Sequence, residues 1–506
     1  MSIAVSLDTI PPELRKEIVK LNTYKPDEKH NNENKYAETK DKSFTSFRTI
    51  TLNGQKVTLL PSNFAKDYVK THPEIMMVEN EFHRLDCSYK FTGQLRHYQE
   101  AAKDRAIEHL EEFGTSTLSL HAGAGKTVTS AAIFANYRGV LAIVIHLETL
   151  IVQWVETFNN FTDAKVHVYG NKKNKYSIEE ANVWIIMEKR IINLVEEGIS
   201  DWVRMVVVDE AHHFCTKTRC QAILGFRPDY LLMVTATPRK ENGLHTVMES
   251  FVGTHSIYRA YEVTFKVKRI LTGVVPTREF MANGTLNYTT FSQSLMYNYV
   301  RNIYVSNLVE INRGRKILIL TKEKKHVDIL RDMISTRKIS VATMRGNDKE
   351  YTDAEVLIGT VSKIGCGFDE ATFANCYNGK RIDLLIFLAS YKNVATIEQS
   401  VGRVLRSENP EIIYLCDQDS VCDSHWRVFR DWSISNNGTC FSYKTDLESN
   451  FENLKRFHYG PSAKIKIIRN DVRLWLPSWG EEPVIYKERI RSKKGKRMVN
   501  ATQHKV

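Results

Sequence analysis

From about residue 90 onward, short apolar runs the length of one strand alternate with helix-like stretches, which restricts the chain to a parallel α/β architecture. STLSL, VLAIVIH, NVWIIM, RMVVVD and YLLMVTA form one series that ends near residue 260. A second series follows, with KILILT, ISVATM, EVLIGT, RIDLLIFLA and EIIYLCD. Two successive series of similar length predict two similarly built lobes facing each other. Between them, the stretch from 261 to about 314 is rich in Thr, Tyr and Asn and reads as the connection plus a helix.

The residues before the first series have a different character. IPPELRKEIVKLN is helix-like, and the polar run YKPDEKHNNENKYAETKDKS reads as a linker or mobile loop. RTITLNGQKVTLLP alternates apolar residues on either side of Asn53-Gly54 and predicts a hairpin turning there. Residues 1–88 are therefore expected to form a small accessory module. The chain has 506 residues, enough for two or three domains. Its formal net charge of +12 favours a polyanionic partner without identifying one. The 8 cysteines include no CxxC pair, so neither a zinc ribbon nor a redox dithiol is expected. With no basic, apolar amino end and no membrane-length apolar run, the expectation is a soluble intracellular protein that engages no membrane.

The chemistry is concentrated in four segments. His121-Ala-Gly-Ala-Gly-Lys-Thr127 stands between STLSL and the helix-like VTSAAIFANY, the strand–loop–helix setting that a phosphate cradle needs. Gly123, Ala124 and Gly125 would bring backbone N–H groups to the phosphates. Lys126 would reach the β and γ oxygens of ATP, and the Thr127 hydroxyl would ligate Mg²⁺. The usual pattern has a glycine at the position of Leu120, so a plain glycine-rich turn is the competing reading. RMVVVDEAHH ends a strand in Asp209 and Glu210, suited to holding Mg²⁺ through water and to orienting and deprotonating the attacking water. Two acids after a strand also suit a solvated turn, but the upstream phosphate loop favours hydrolysis. Thr235-Ala236-Thr237-Pro238 ends another strand with hydroxyl groups that would link the nucleotide site to the rest of the lobe. In the second series, Gln399, Arg403 and Arg406 would share one face if they lie on a helix, where guanidinium groups can stabilise charge on a transferring phosphoryl. Salt-bridged surface arginines are the alternative.

In combination and in order, these segments resemble a superfamily 2 helicase over roughly residues 90 to 430. FTGQLRHYQ (91–99) is similar to the adenine-reading segment of that family, with Gln99 as the implied base contact. HLETLIVQW (146–154) is similar to a segment that touches the nucleic-acid backbone, and WIIMEKRI (184–191) stands where another such contact falls, without the expected Thr. KILILTKEKKH resembles the opening of the second lobe, where Lys322, Lys324 and Lys325 would grip the strand or simply face solvent. In Thr360–Asp369 the resemblance implies a phosphate contact by Thr360 and nucleotide binding by Asp369. The LRHYQ, DEAHH, TATPRK and QSVGRVLR segments look most like the XPB/UvsW kind, and the leader resembles that of helicases of large cytoplasmic DNA viruses, the poxvirus transcript-release helicase among them.

The resemblance implies two tandem RecA-like parallel-sheet lobes with a small N-terminal accessory module. The expected boundaries are 1–88 for the module, 89–262 and 263–435 for the lobes, and 436–506 for an extension with a basic tail (Arg489 to Arg497) that binds phosphates or is merely soluble. It implies an ATP- and Mg²⁺-dependent DNA helicase or translocase in which the lobes build the ATP site together. Transcription or replication proteins are possible partners, and a viral origin would place the protein in the host cytoplasm and the virion. An RNA helicase and an ATP-gated clamp that does not travel remain the alternatives, because backbone contacts do not report the sugar.

Overall fold

The computed structural model describes residues 2–6, 8, 10–25, 43–52, 55–78, 84–121, 123–236, 243–259, 261–346, 348–364, 368–444 and 503–505. The described chain divides into two compact units between Arg259 and Ala260.

The first unit is built on a parallel sheet. From one edge the strands run Gln503–Lys505, Ser256–Arg259, Thr115–Leu120, Tyr230–Val234, Val203–Asp209, Val140–Ile145, Val183–Met187 and Val166–Val168. The five expected strands occupy its centre. Every residue of Val140–Ile145 is fully buried, as a strand covered by helices on both faces requires. The flanking strands Val166–Val168, Ser256–Arg259 and Gln503–Lys505 were not anticipated from the sequence. They are short, three or four residues each, too brief to register as apolar runs.

The amino-terminal segment belongs to this same unit. Ser2–Ser6, Gln55–Pro61 and Arg48–Leu52 form an antiparallel sheet, with Leu52 opposite Gln55 as a hairpin requires. The turn residues Asn53 and Gly54, and most of the polar run after Tyr24, lie outside the described residues. Strand alternation splits the side chains of this small sheet between two cores. Val5 and Leu60 pack with Ile18, Ala65 and Tyr68 of the helices Pro12–Leu21 and Ser62–Thr71, whereas Ala4, Val57 and Leu59 join the core of the large sheet. Ser2 Oγ donates to the Leu224 carbonyl at 2.7 Å and Ser62 Oγ to that of Phe251 at 2.7 Å. Removing residues 1–88 would thus uncover apolar core.

In the second unit the sheet order is Val341–Met344, Val356–Thr360, Ile317–Thr321, Leu384–Phe387, Glu411–Cys416, Phe265–Leu271 and Gly438–Lys444, again all parallel. Both units are therefore RecA-like α/β layers. Two features depart from the sequence reading. The presumed connection contains the strand Phe265–Leu271 as well as two helices, Tyr288–Met296 and Tyr299–Ile311. And the sheet continues past residue 435, since Gly438–Lys444 pairs along its whole length with Phe265–Leu271. The basic tail between Arg489 and Arg497 lies outside the described residues. Among the described residues no helix is long and apolar enough to cross a membrane.

Candidate nucleotide and nucleic-acid site

In the first unit the strand Thr115–Leu120 runs into the loop before the helix Lys126–Phe134. Gly123 and Gly125 have φ of +83° and +82°, a left-handed conformation that side chains disfavour. A Cβ on Gly125 would also lie 2.2 Å from Gln99 Nε2. Around this bend the free N–H groups of the first helical turn are available to an anion. Lys126 folds back so that Nζ donates to the Leu120 carbonyl at 3.2 Å. The buried Ala124 carbonyl accepts from Gln99 Nε2 at 3.1 Å and from Tyr98 Oη at 3.2 Å, while Gln99 Oε1 accepts from the Arg96 backbone N–H at 2.8 Å. Gln99 therefore braces the loop with both ends of its amide, a role that sequence reading alone did not reveal. Ala122, between His121 and Gly123, lies outside the described residues.

Asp209 closes the central strand Val203–Asp209. Its Oδ2 accepts from the Trp154 indole at 2.8 Å and its Oδ1 from the Glu210 N–H at 2.9 Å. Burial pushes this carboxyl above its ordinary value, more than the Trp154 hydrogen bond and nearby Lys126 can pull it down. A cation at this point would relieve the cost of the buried charge. Glu210 has φ of +47° and ψ of +49°, unusual for a residue with a side chain. Next to it, His212 Nδ1 lies 3.4 Å from Glu210 Oε2 and 2.9 Å from Thr235 Oγ1, so the acidic strand end and the Thr-rich strand end are directly joined. Thr237 and Pro238 lie outside the described residues. His213 packs at a tilt against both His212 and His146, each at 4.2 Å between ring centroids, and burial pushes His146 down to about 3, so it stays neutral.

One further helix connects the two halves of this site. From Thr149–Phe161, Gln153 Nε2 donates to Thr127 Oγ1 at 3.1 Å, and the next residue, Trp154, holds Asp209. Adjacent residues thus grip both side chains suited to Mg²⁺. The hydroxyl and the buried carboxylate are hard oxygen donors of the type Mg²⁺ prefers, so the residues fit the ion. The VQW sequence carried the signal, but its resemblance pointed to nucleic acid rather than to these contacts.

The second unit gathers a different set. Thr360, which ends the strand Val356–Thr360, is buried and its Oγ1 accepts from Ser362 at 3.4 Å. Gly365 and Gly367 lie outside the described residues. Asp369 caps the short helix Glu370–Phe373 and pairs with Arg406 and Arg381. Its burial raises the carboxyl, but these two guanidinium groups outweigh that and hold it below its ordinary value. The expectation of one helix carrying Gln399, Arg403 and Arg406 needs correction. The helix Val394–Val401 ends before Gly402, and Arg406 stands in the separate 3₁₀ turn Val404–Arg406. Gln399 remains on the helix and is half-buried. The buried Arg403 guanidinium donates to the Phe368 carbonyl at 2.6 Å. Arg403 and Arg406 are thus both bound to the 368–369 segment. Lys322 sits between the rings of Tyr288 and Tyr391, 4.3 and 4.5 Å from their centroids, and donates to Tyr288 Oη at 2.8 Å. Burial pushes its ammonium down to about 8. Lys324 and Lys325 are exposed.

Residues 92–240 match the family described as type III restriction enzyme, res subunit. A protein of Invertebrate iridescent virus 6 named as a helicase, 161L, is 26% identical over 72% of this chain and 85% of its own length. The DNA 3'-5' translocase XPB2 of Sulfurisphaera tokodaii is 22% identical over 64% of this chain and 81% of its own. In three dimensions, a fragment of an HsdR subunit of a type I restriction enzyme from Vibrio vulnificus shares the fold with a TM-score of 0.51, at 16% identity over 71% of this chain and 70% of that one. The chain is thus similar to helicases and translocases of viral and archaeal origin. It is a helicase-type enzyme that hydrolyses ATP and acts on nucleic acid.

Proposed function

We propose that this chain is a superfamily 2 helicase, a DNA-dependent motor in which Lys126 and the Gly123–Gly125 loop bind the phosphates of ATP, and Thr127 and Asp209 hold Mg²⁺. The observation that carries the reading is the joining of Thr127 and Asp209 through adjacent residues of one helix. Mg²⁺, when bound, neutralises charge on the β and γ oxygens. Glu210 accepts the proton of the attacking water. Gln99 acts on the base from its seat against Ala124, so base recognition and loop shape are linked. Arg403 and Arg406 stabilise the charge that develops on the transferring phosphoryl, with Gln399 beside them, and to do so they exchange their bonds to Phe368 and Asp369. In the second lobe Asp369 helps bind nucleotide, while Thr360 and Lys322 contact the strand backbone. DNA is favoured over RNA by the likeness to a relative named as a DNA translocase, and work in viral transcription, replication or repair fits the likeness to a viral helicase.

Steady-state hydrolysis measured without nucleic acid and with single-stranded DNA, duplex DNA or single-stranded RNA tests this. Stimulation by DNA, lost in Lys126→Ala, is the expected result. Stimulation by RNA alone would move the assignment to an RNA helicase, and hydrolysis indifferent to every polymer would sink the reading.

Trp154 supplies a second prediction. Trp154→Phe keeps a ring in a fully buried position but removes the indole donor from Asp209. Lost support to a metal-binding carboxylate costs on the order of 10- to 100-fold in metal affinity or activity. A Mg²⁺ titration of hydrolysis should therefore shift to higher concentration by about tenfold. A wild-type titration curve would show that Asp209 needs no such support.

A further inference from the structure

Beyond the residues that the helicase motifs use, the first unit carries a cationic loop at the edge of its sheet. It follows the edge strand Val166–Val168 and presents Lys172, Lys173 and Lys175, all exposed, with Lys165 exposed just before the strand. None of these four lysines is ion-paired among the described residues. Lys165 and Lys175 both lie over the ring of Tyr176, at 5.7 and 5.0 Å from its centroid. The nearby Glu180 carboxylate is turned to the Ser177 backbone N–H, 2.9 Å away.

The loop is built rather than slack. Asn174 Oδ1 accepts from the Val168 N–H at 2.9 Å, and its Nδ2 reaches the carbonyls of Val168 at 2.9 Å and Asn171 at 2.8 Å. Nδ2 also lies 3.2 Å from His167 Nε2, while His167 Nδ1 lies 2.9 Å from the Tyr176 carbonyl. These contacts suit the His167 tautomer that donates from Nδ1 and accepts at Nε2. Asn171 Oδ1 accepts from the Lys173 N–H at 3.0 Å. Gly170, at φ +78°, leaves room for Arg190, whose guanidinium would collide with any Cβ there. Polar side chains thus fix the shape of a loop that carries several exposed cations, whose charge a polyanion would neutralise.

We propose that this loop is an additional binding site for the phosphodiester backbone of nucleic acid, apart from the strand contacts attributed to the motif segments. The inference rests on the nucleic-acid reading above and deepens it. Lysines on a fixed loop bind phosphates as point charges, so the contact is indifferent to base sequence and releases counterions. Each phosphate neutralised contributes about 0.9 to the slope of log K against log[salt] on duplex and about 0.7 on single strands.

The test uses the full chain carrying Lys172→Ala, Lys173→Ala and Lys175→Ala, with fluorescently labelled single-stranded and duplex oligonucleotides titrated at several KCl concentrations. The salt slope is expected to fall by roughly 2 to 3 relative to wild type on the polymer that the loop contacts. Hydrolysis without nucleic acid should be unchanged, which also shows that the variant folds. A fall on duplex alone, or on single strands alone, supports the site and names its source. The control removes three exposed lysines elsewhere, Lys16, Lys20 and Lys70. A wild-type slope in the loop variant, or an equal fall in the control, overturns the proposal while leaving the nucleic-acid reading intact. No binding of either polymer by wild type at low salt would remove both.

Discussion

Glu210→Gln is expected to lower ATP turnover by about 10²- to 10⁴-fold, the usual contribution of a positioned general base, while nucleotide binding stays within a few-fold of wild type. The substitution keeps the shape of the side chain and removes only its ability to accept a proton. Local geometry supports this separation. Glu210 adopts a left-handed backbone, φ +47°, immediately after the buried strand end. A non-glycine residue held there costs on the order of 1–3 kcal/mol, which its surroundings must offset. The surroundings are visible: its N–H is fixed on Asp209, and its carboxylate faces His212, which is in turn fixed on Thr235. Gln can keep the N–H contact and the backbone bend, so Lys126, Thr127 and Asp209, the side chains proposed to bind ATP and Mg²⁺, should stay in place. Phosphate release under saturating ATP, with binding of a fluorescent ATP analogue measured alongside, separates the two effects. Wild-type turnover in the variant would exclude Glu210 as the base. Loss of binding in parallel with turnover would show that the substitution had disturbed the loop instead.

The sequence was most informative where backbone conformation and chemistry make the same demand. Gly123 and Gly125 must both be left-handed and must both leave room, the latter for Gln99, so the loop betrays itself in one dimension. Fully buried strands such as Val140–Ile145 are equally plain, because nothing but an apolar run can occupy both faces. Phe265–Leu271 hid for the opposite reason. Its Lys266 and Lys268 project from a strand near the sheet edge, where long side chains reach water, so FKVKRIL shows no continuous run. Gln153 and Trp154 were legible as a motif but not as supports of Thr127 and Asp209, since no local pattern reports which side chain lies 26 or 55 positions away. Helical spacing likewise joined Gln399 to Arg406 on paper. The chain breaks the helix at Gly402 so that Arg403 can reach the Phe368 carbonyl and Arg406 can reach Asp369. In each miss a tertiary partner, invisible along the sequence, decided the local geometry.

One such tertiary contact should dominate the stability of the second unit. Arg301 and Asp417 form an ion pair at 3.0 Å with side chains only 1% and 3% exposed. Asp417 also accepts from Thr272 Oγ1 at 2.7 Å, and Arg301 donates to the Leu388 carbonyl at 3.2 Å. The pair ties the helix Tyr299–Ile311 to the ends of three neighbouring strands: Thr272 follows Phe265–Leu271, Leu388 follows Leu384–Phe387 and Asp417 follows Glu411–Cys416. Burying two charges costs several kcal/mol each, which their attraction and hydrogen bonds roughly return, so the intact pair need not add much net stability. Removing one member is different. Asp417→Ala strands a guanidinium in the core and is expected to destabilise the second unit by about 3–5 kcal/mol. Urea unfolding followed through Trp426 and Trp432, both in the core of that unit, should show an earlier transition. Replacing both charges, as Arg301→Met with Asp417→Leu, should recover most of the loss because no charge then remains unmatched. A single variant as stable as wild type would mean that water reaches the pair. A double variant no better than the single would mean that the geometry of the hydrogen bonds to Thr272 and Leu388, rather than charge balance, holds the helix to the sheet.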